Sequence, residues 1–204
     1  MLEALGPALY IGSDIEHGPH VDEICDARHL LARFGENSFD IVVTTEMLEH
    51  VRDWRGVVTN LKHVTKPGGS LVVTTRSRGF PYHAWPHDYW RYEMSDMTAI
   101  FADFLIEALG PDLEAPGVCM KARKPSAFRE LDLSGYQLFS MVKQRRAASI
   151  TVRDERLFAA AYTPLRLLRA WTPRRLKRAV KRTPLSRERR ILRRTERRVG
   201  GRRG

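Results

Sequence analysis

The sequence predicts a doubly wound α/β domain built on a mostly parallel sheet, and three observations carry that prediction. Two β-branched apolar runs, residues 39–45 and 70–75, flank a segment whose apolar positions recur at helical spacing. A strand, a helix and a strand in that order need a crossover connection, which makes the strands parallel. Both runs are nearly continuous rather than alternating, as strands covered on both faces are. Finally, two short apolar stretches each end in an acid: Tyr10-Ile11-Gly12-Ser13 in Asp14, and Val21-Asp22-Glu23-Ile24-Cys25 in Asp26. Ligands of such sheets lie across the carboxyl ends of the strands, where an acid can accept hydrogen bonds from ligand hydroxyls.

In chain order, residues 10–15 read as a short buried strand and residues 21–25 as a weaker one. Residues 27–34 read as one or two helical turns, and Gly35-Glu36-Asn37-Ser38 as a turn. Residues 39–45 give the strongest strand signal. Over residues 53–64, Val57, Val58, Leu61 and Val64 share a helical face, and Lys66-Pro67-Gly68-Gly69 ends that helix. Residues 70–75 are the next buried strand, followed by an aromatic, proline-punctuated loop over 80–92. A helix over 95–104 takes Ser95 as its N-cap, with Met97, Ile100, Phe101 and Phe104 on one face. Residues 104–109 and 117–122 form a last strand pair.

Composition bounds the rest. A chain of 204 residues accommodates one sizeable domain and an appendage, and 43% hydrophobic residues with four tryptophans fit a packed core. The net charge of +11 is uneven: residues 1–150 hold 16 Lys+Arg against 20 Asp+Glu, residues 151–204 hold 19 against 4. The division expected is a domain over 1–125, a connector over 126–150 and a basic tail over 151–204. No apolar run approaches the roughly 20 residues that span a bilayer. The N-terminus, with Glu3 and Gly6-Pro7, has no basic region of a signal peptide. Cys25 and Cys119 sit in strand-like runs and are expected as buried free thiols in a reducing, cytoplasmic setting.

Taken together, Tyr-Ile-Gly-Ser-Asp-Ile at 10–15, Cys-Asp-Ala at 25–27, Asn-Ser-Phe-Asp-Ile-Val-Val at 37–43, Glu46-Met47-Leu48-Glu49-His50-Val51 and Lys-Pro-Gly-Gly-Ser-Leu-Val-Val at 66–73 resemble a known family. It is the class I S-adenosylmethionine-dependent methyltransferases, in particular the type 11 domain, with its Rossmann-like sheet. The resemblance covers residues 9–123 and implies S-adenosyl-L-methionine as cofactor. It implies that Asp14, followed by Ile15, accepts from the ribose hydroxyls. Asp26 would accept from the adenine amine with the Ala27 amide facing the ring, and Thr45 and Glu46 would line the methionine end. Read as plain residues, Asp14 and Asp26 are also turn or cap acids. His50 is expected to pack at the start of the crossover rather than act chemically.

The family's first strand, Gly-x-Gly turn and first helix have no counterpart before Asp14, so the domain reads as N-terminally truncated, through a late-assigned start codon or a degenerate gene. In the family that strand lies between those ending at Asp14 and Thr45. Its loss is expected to leave two interior edges unpaired. Whether the chain is an active enzyme without that turn stays open.

The loop Pro81-Tyr82-His83-Ala84-Trp85-Pro86-His87-Asp88-Tyr89-Trp90-Arg91-Tyr92 follows the strand ending at Thr75, on the side where the family places its methyl acceptor. Methyl transfer needs orientation and exclusion of water, and a base only for a hydroxyl or acidic carbon. His83 and His87 are the candidate bases, with Asp88 as orienter. Trp85, Tyr89, Trp90 and Arg91 are the candidate acceptor-binding residues. The plain alternative is a packed aromatic loop with an Asp88–Arg91 pair. His83 and His87 are four apart, but Pro81 and Pro86 oppose a regular helix and no third ligand is evident, so no metal is expected.

In the tail, a helix over 153–171 carries Leu157, Phe158, Ala161, Leu165 and Leu168 at spacings of three or four. With the arginines between, the stretch from Arg153 to Arg182 fits an anionic membrane surface, at the inner face of the membrane. Nucleic acid is the lesser partner, because one Trp and one Tyr make no stacking platform. Beyond Pro184 the chain is expected to be disordered. The leading function is methyl transfer to a small-molecule, sugar or glycolipid acceptor. The alternative is a catalytically inactive fragment acting as a basic-tailed membrane- or nucleic-acid-binding protein.

Overall fold

The structure, a computed structural model, describes residues 9–83 and 87–171, with side chains as far as Tyr162. Trp85 and the part of the tail beyond Trp171 therefore lie outside the described residues. So do the expected disorder beyond Pro184 and residues 172–182 of the stretch assigned to a membrane surface.

The main sheet has four strands in the order β3 (Phe39–Thr45), β4 (Thr65–Arg76), β7 (Gly117–Arg123), β6 (Leu105–Pro111). β3 and β4 are parallel and joined, as the strand–helix–strand pattern requires, by helix α2 (Trp54–Val64), which follows the short helix α1 (Leu30–Phe34) in the chain, while β7 runs antiparallel to both neighbours. Asp53 caps α2 by accepting from the Gly56 amide at 3.3 Å, and the helix buries Trp54, Val57, Val58, Leu61 and Val64 on the sheet. The Pro67-Gly68-Gly69 stop lies inside β4 as a bulge, where the pairing jumps from Phe39–Thr65 to Ile41–Ser70. A Cβ on Gly69 would sit 2.9 Å from the Asp40 carbonyl oxygen, so only glycine lets the two strands approach.

The N-terminal strands are shorter than the sequence suggests. β1 is Ser13–Asp14 and β2 is Glu23–Ile24, a parallel two-residue ribbon with no ladder to the main sheet. Tyr10, Ile15 and Ile24 are exposed rather than buried. Among the described residues nothing pairs with the outer edge of β3, and Ile41 and Val43 there are 57% and 38% exposed. β3 is therefore a marginal strand, although its composition is that of an interior one.

Three more expectations change. The helix expected over 95–104 is α3, Met94–Ile100, and its N-cap is Glu93 rather than Ser95. Glu93 and Asp96 form a reciprocal capping box, which satisfies two amides where a serine would satisfy one. The cysteines are free, but Cys119 is exposed and Cys25 half-buried, because they lie toward the open faces of β7 and β2. Residues 126–150 are no connector. Leu133, Leu138, Ala147 and Ile150 join the core, and β8 (Leu138–Ser140) pairs with β5 (Trp90–Arg91) and β9 (Arg145–Ala147). The first compact unit accordingly extends to Glu155.

Arg55 ties that segment to α2. Its guanidinium donates to the carbonyls of Leu133 and Ala148, both at 2.6 Å, and to that of Tyr136. Arg55→Met keeps the apolar stem and deletes every donor, so urea unfolding should show a loss of about 2–3 kcal/mol from carbonyls left without partners.

From Arg156 the chain forms a second unit. The expected tail helix is present as α4, Val152–Trp171, within which Phe158 and Tyr162 stack one turn apart at 5.2 Å. No helix among the described residues is long and apolar enough to cross a membrane.

Candidate functional site

The site forms where β3 and β4 end and the loop after β4 folds back. Glu46 leaves β3 with φ +53, a left-handed kink that turns the chain sharply off the sheet. The kink is held by the Glu46 amide donating to the Thr74 carbonyl at 2.9 Å and by Thr74 Oγ1 donating to Glu46 Oε1 at 3.1 Å. Arg76 pairs with Glu46 and, at 2.9 Å, with Asp112. Burial, then the nearby charge of Glu49, raises the Glu46 carboxyl above its ordinary value.

A 3-10 turn, Leu48–His50, then directs Glu49 inward. The Glu49 side chain has no exposed surface. Its Oε2 accepts from Thr75 Oγ1 at 2.8 Å, while its buried Oε1 has no hydrogen-bond partner. Two imidazoles close on that oxygen: His50 Nε2 at 4.0 Å and His83 Nε2 at 3.9 Å. The rings of His50 and His83 meet edge to face at 4.8 Å, and Phe80 packs on His83 from the other side at 4.9 Å. His50 Nδ1 faces the His87 carbonyl.

Asp88 fixes the loop. Its carboxylate accepts two bonds from Arg91, at 2.5 and 2.7 Å, and one from the His83 amide at 2.9 Å. His83 Nδ1 lies 3.1 Å from the same carboxylate. Arg91 also donates to the carbonyls of Trp90 and Pro81, at 2.7 and 3.1 Å. The Asp88–Arg91 pair of the plain alternative is present, and the same carboxylate lies beside His83.

The other loop residues are placed differently. The His87 ring is exposed and stacks on Tyr89 at 5.3 Å, away from Glu49. Trp90 and Arg91 are fully buried, with Trp90 Nε1 donating to the Val51 carbonyl at 3.0 Å, so both are core residues without a face open to a ligand. Tyr89 is 6% exposed. Burial, then the charge of Glu155, pushes its phenol up to about 12, which keeps it protonated at neutral pH.

At the other end, Asp14 and Asp26 stand at the carboxyl ends of the adjacent strands β1 and β2, with the Cys25 amide donating to the Asp14 carbonyl at 2.9 Å. Among the described residues the exposed Asp14 carboxylate accepts only from the Glu16 amide, at 3.1 Å through Oδ1, and Oδ2 is open. Asp26 is engaged: it caps the 3-10 turn Ala27–His29 through the Arg28 amide at 2.9 Å and pairs with the Arg28 side chain at 2.7 Å. The hydrogen bond to Arg28, foremost, lowers its carboxyl. Ile15 and Thr45 are exposed and Ala27 packs against the core.

In sequence Glu49-His50 resembles an acid/base pair, with His50 expected to pack at the start of the crossover; the structure brings both beside His83. Adjacent residues do not announce a shared site, and the partner that completes the cluster, His83, lies 33 positions further on.

Residues 12–73 match the family described as "Methyltransferase domain". The "Ubiquinone biosynthesis O-methyltransferase" of Idiomarina loihiensis is 39% identical over 31% of this chain and 26% of its own length. The protein of the same name from Burkholderia vietnamiensis is 38% identical over 37% of this chain and 32% of its own length. The chain thus spans about a quarter to a third of these relatives. Among solved structures, the Burkholderia thailandensis 1,6-didemethyltoxoflavin-N1-methyltransferase, with 1,6-didemethyltoxoflavin and S-adenosylhomocysteine bound, is 16% identical, with a TM-score of 0.46. That match covers 55% of this chain and 60% of the other.

Proposed function

We propose, from the match of residues 12–73 to a methyltransferase domain, that the protein is a class I S-adenosylmethionine-dependent methyltransferase that methylates a hydroxyl of a small-molecule acceptor. S-adenosyl-L-methionine is the cofactor of this reading, and a sugar or glycolipid hydroxyl is the acceptor class that the loop after β4 favours. The observation that carries it is Asp14: an exposed carboxylate at the end of a parallel strand, with Oδ2 left open.

The residues present suit the nucleoside half of the cofactor. Asp14 Oδ2 accepts from ribose hydroxyls without breaking any contact. Asp26 reaches an adenine amine once the Arg28 side chain, 56% exposed, swings aside. An exposed pair of this kind is worth about 0.2–1 kcal/mol, so the exchange is cheap. Thr45 and Glu46 line the methionine end from the kink after β3. When bound, the cofactor supplies an electrophilic methyl on a sulfonium.

The protein's own part is to hold the acceptor and accept its proton. Phe80, Tyr82 and His83 form the described side of the acceptor site, and Trp85 belongs to the same loop. His83 Nε2 is the base, and Asp88, itself held by Arg91, positions His83 by accepting from its backbone amide and by standing 3.1 Å from Nδ1. His87 borders the entrance. Its carbonyl holds His50, and its ring is too far out to take the proton.

Calorimetric titration of the 204-residue chain with S-adenosylmethionine and its demethylated product tests the reading. Binding in the micromolar range is expected, weakened about tenfold or more in Asp14→Ala through loss of hydrogen bonds to a charged acceptor. A folded chain that evolves no heat overturns it.

A further inference from the structure

We propose that Glu49, His50 and His83 form a binding site for a divalent transition-metal ion of the zinc class. One ligand atom from each residue lies within 4.8 Å of the other two. With bonds of about 2.1 Å, the edge of a tetrahedral zinc site is roughly 3.4 Å. The two histidine-to-carboxylate separations, 4.0 and 3.9 Å, need close by only about half an ångström to reach it.

The hydrogen bonds around the cluster show which lone pairs point inward. A backbone carbonyl only accepts, so His50 Nδ1, facing the His87 carbonyl, carries the proton and leaves Nε2 as a lone pair. The Asp88 carboxylate beside His83 Nδ1 likewise selects the tautomer with a bare Nε2. Glu49 Oε1 is fully buried and has no donor. Three ligand atoms therefore gather within 4.8 Å of one another around a buried carboxylate oxygen that has no hydrogen-bond partner, an arrangement that a cation relieves.

The surroundings are those of a built site. A histidine that binds metal usually turns its other nitrogen to a carboxylate or a backbone carbonyl: His50 Nδ1 faces the His87 carbonyl, and His83 Nδ1 lies 3.1 Å from the Asp88 carboxylate. Thr75 holds the second oxygen of Glu49. Asp88 is neutralised by Arg91 and Glu46 by Arg76, whereas no lysine or arginine pairs with Glu49 among the described residues. The His83 side chain, 34% exposed, gives an ion its way in. Two imidazoles and one carboxylate suit zinc and its neighbours, with a position left for water or an acceptor oxygen.

Binding of the ion does not depend on the methyltransferase reading. If both hold, the ion occupies Nε2 of His83 and replaces it, as a Lewis acid, in lowering the pKa of the acceptor hydroxyl.

The test is a cobalt titration of the chelator-stripped full chain without any cofactor, followed by displacement with zinc. One cobalt per chain is expected, with visible d–d bands of a low-coordinate nitrogen/oxygen site that zinc abolishes. Glu49→Gln and His83→Ala should each weaken binding at least about a hundredfold, beyond the 10- to 100-fold that outer-shell changes cost. His29→Ala, at an exposed histidine elsewhere, should leave the titration unchanged. Circular dichroism of each variant checks the fold; His83, partly exposed, decides the matter if Glu49→Gln does not fold. No visible bands, or bands that survive His83→Ala in a folded chain, overturn the site.

Discussion

Asp88→Ala should lower the unfolding free energy by about 3–5 kcal/mol, the cost of stranding a buried charge. Neither Asp88 nor Arg91 has exposed side-chain surface. Without the carboxylate, the Arg91 guanidinium keeps, among the described residues, the carbonyls of Trp90, Pro81 and, at 3.5 Å, Phe80, which leave its charge uncompensated, and the His83 amide loses its acceptor. Those groups hold the whole return of the loop over β5. Urea unfolding followed by tryptophan fluorescence measures the effect. The paired replacement Asp88→Leu with Arg91→Met should recover most of the loss, because no charge then remains to be desolvated. An Asp88→Ala variant within about 1 kcal/mol of the parent would mean that the pair is open to water in solution.

Asp103→Ala should cost a similar amount, about 3–5 kcal/mol at neutral pH, and its pH dependence has a definite sign. Lys62, on α2, is fully buried and donates to the Ile100 carbonyl and to Asp103, both at 2.7 Å. Burial pulls its ammonium below the ordinary value of 10.5, and the Asp103 contact opposes that pull. Removing Asp103 therefore deepens the depression. The folded variant then binds fewer protons than the unfolded chain between the depressed value and 10.5, so its stability rises with pH across that window. Unfolding measured at several pH values should show the deficit of Asp103→Ala shrinking toward alkaline pH. A deficit independent of pH would show that Lys62 is already neutral or solvated.

The legible parts of the fold were those that a single period encodes. β3, α2, β4 and β7 appear where β-branched runs or helical spacing place them. β8 and β9 did not, because three-residue strands such as Arg145–Ala147 carry no period, and Leu138 and Ala147 are buried by joining a core assembled from distant parts of the chain. Glu93 was overlooked as a cap because serine is the more familiar one; the reciprocal acid at Asp96 was the signal. The positions of Asp14 at the end of β1, Glu46 just past β3 and His83 in the loop after β4 were readable from the apolar runs before them. The ring of His87 was not: its spacing from His83 suggests a shared helical face, but the prolines make a loop, and the loop sends the two rings to different sides. The inward turn of Glu49 was hidden because it follows from the Glu46 kink, which no residue type in that position specifies.

Arg55 also bears on how the protein comes apart. Its donors span carbonyls from Leu133 to Ala148 and bind them to a core helix. That stretch cannot open as a separate flap without breaking the contacts of α2. Its amides, and those of β8 at the centre of their small sheet, should exchange with deuterium only when the whole first unit opens, at the rate set by global rather than local opening.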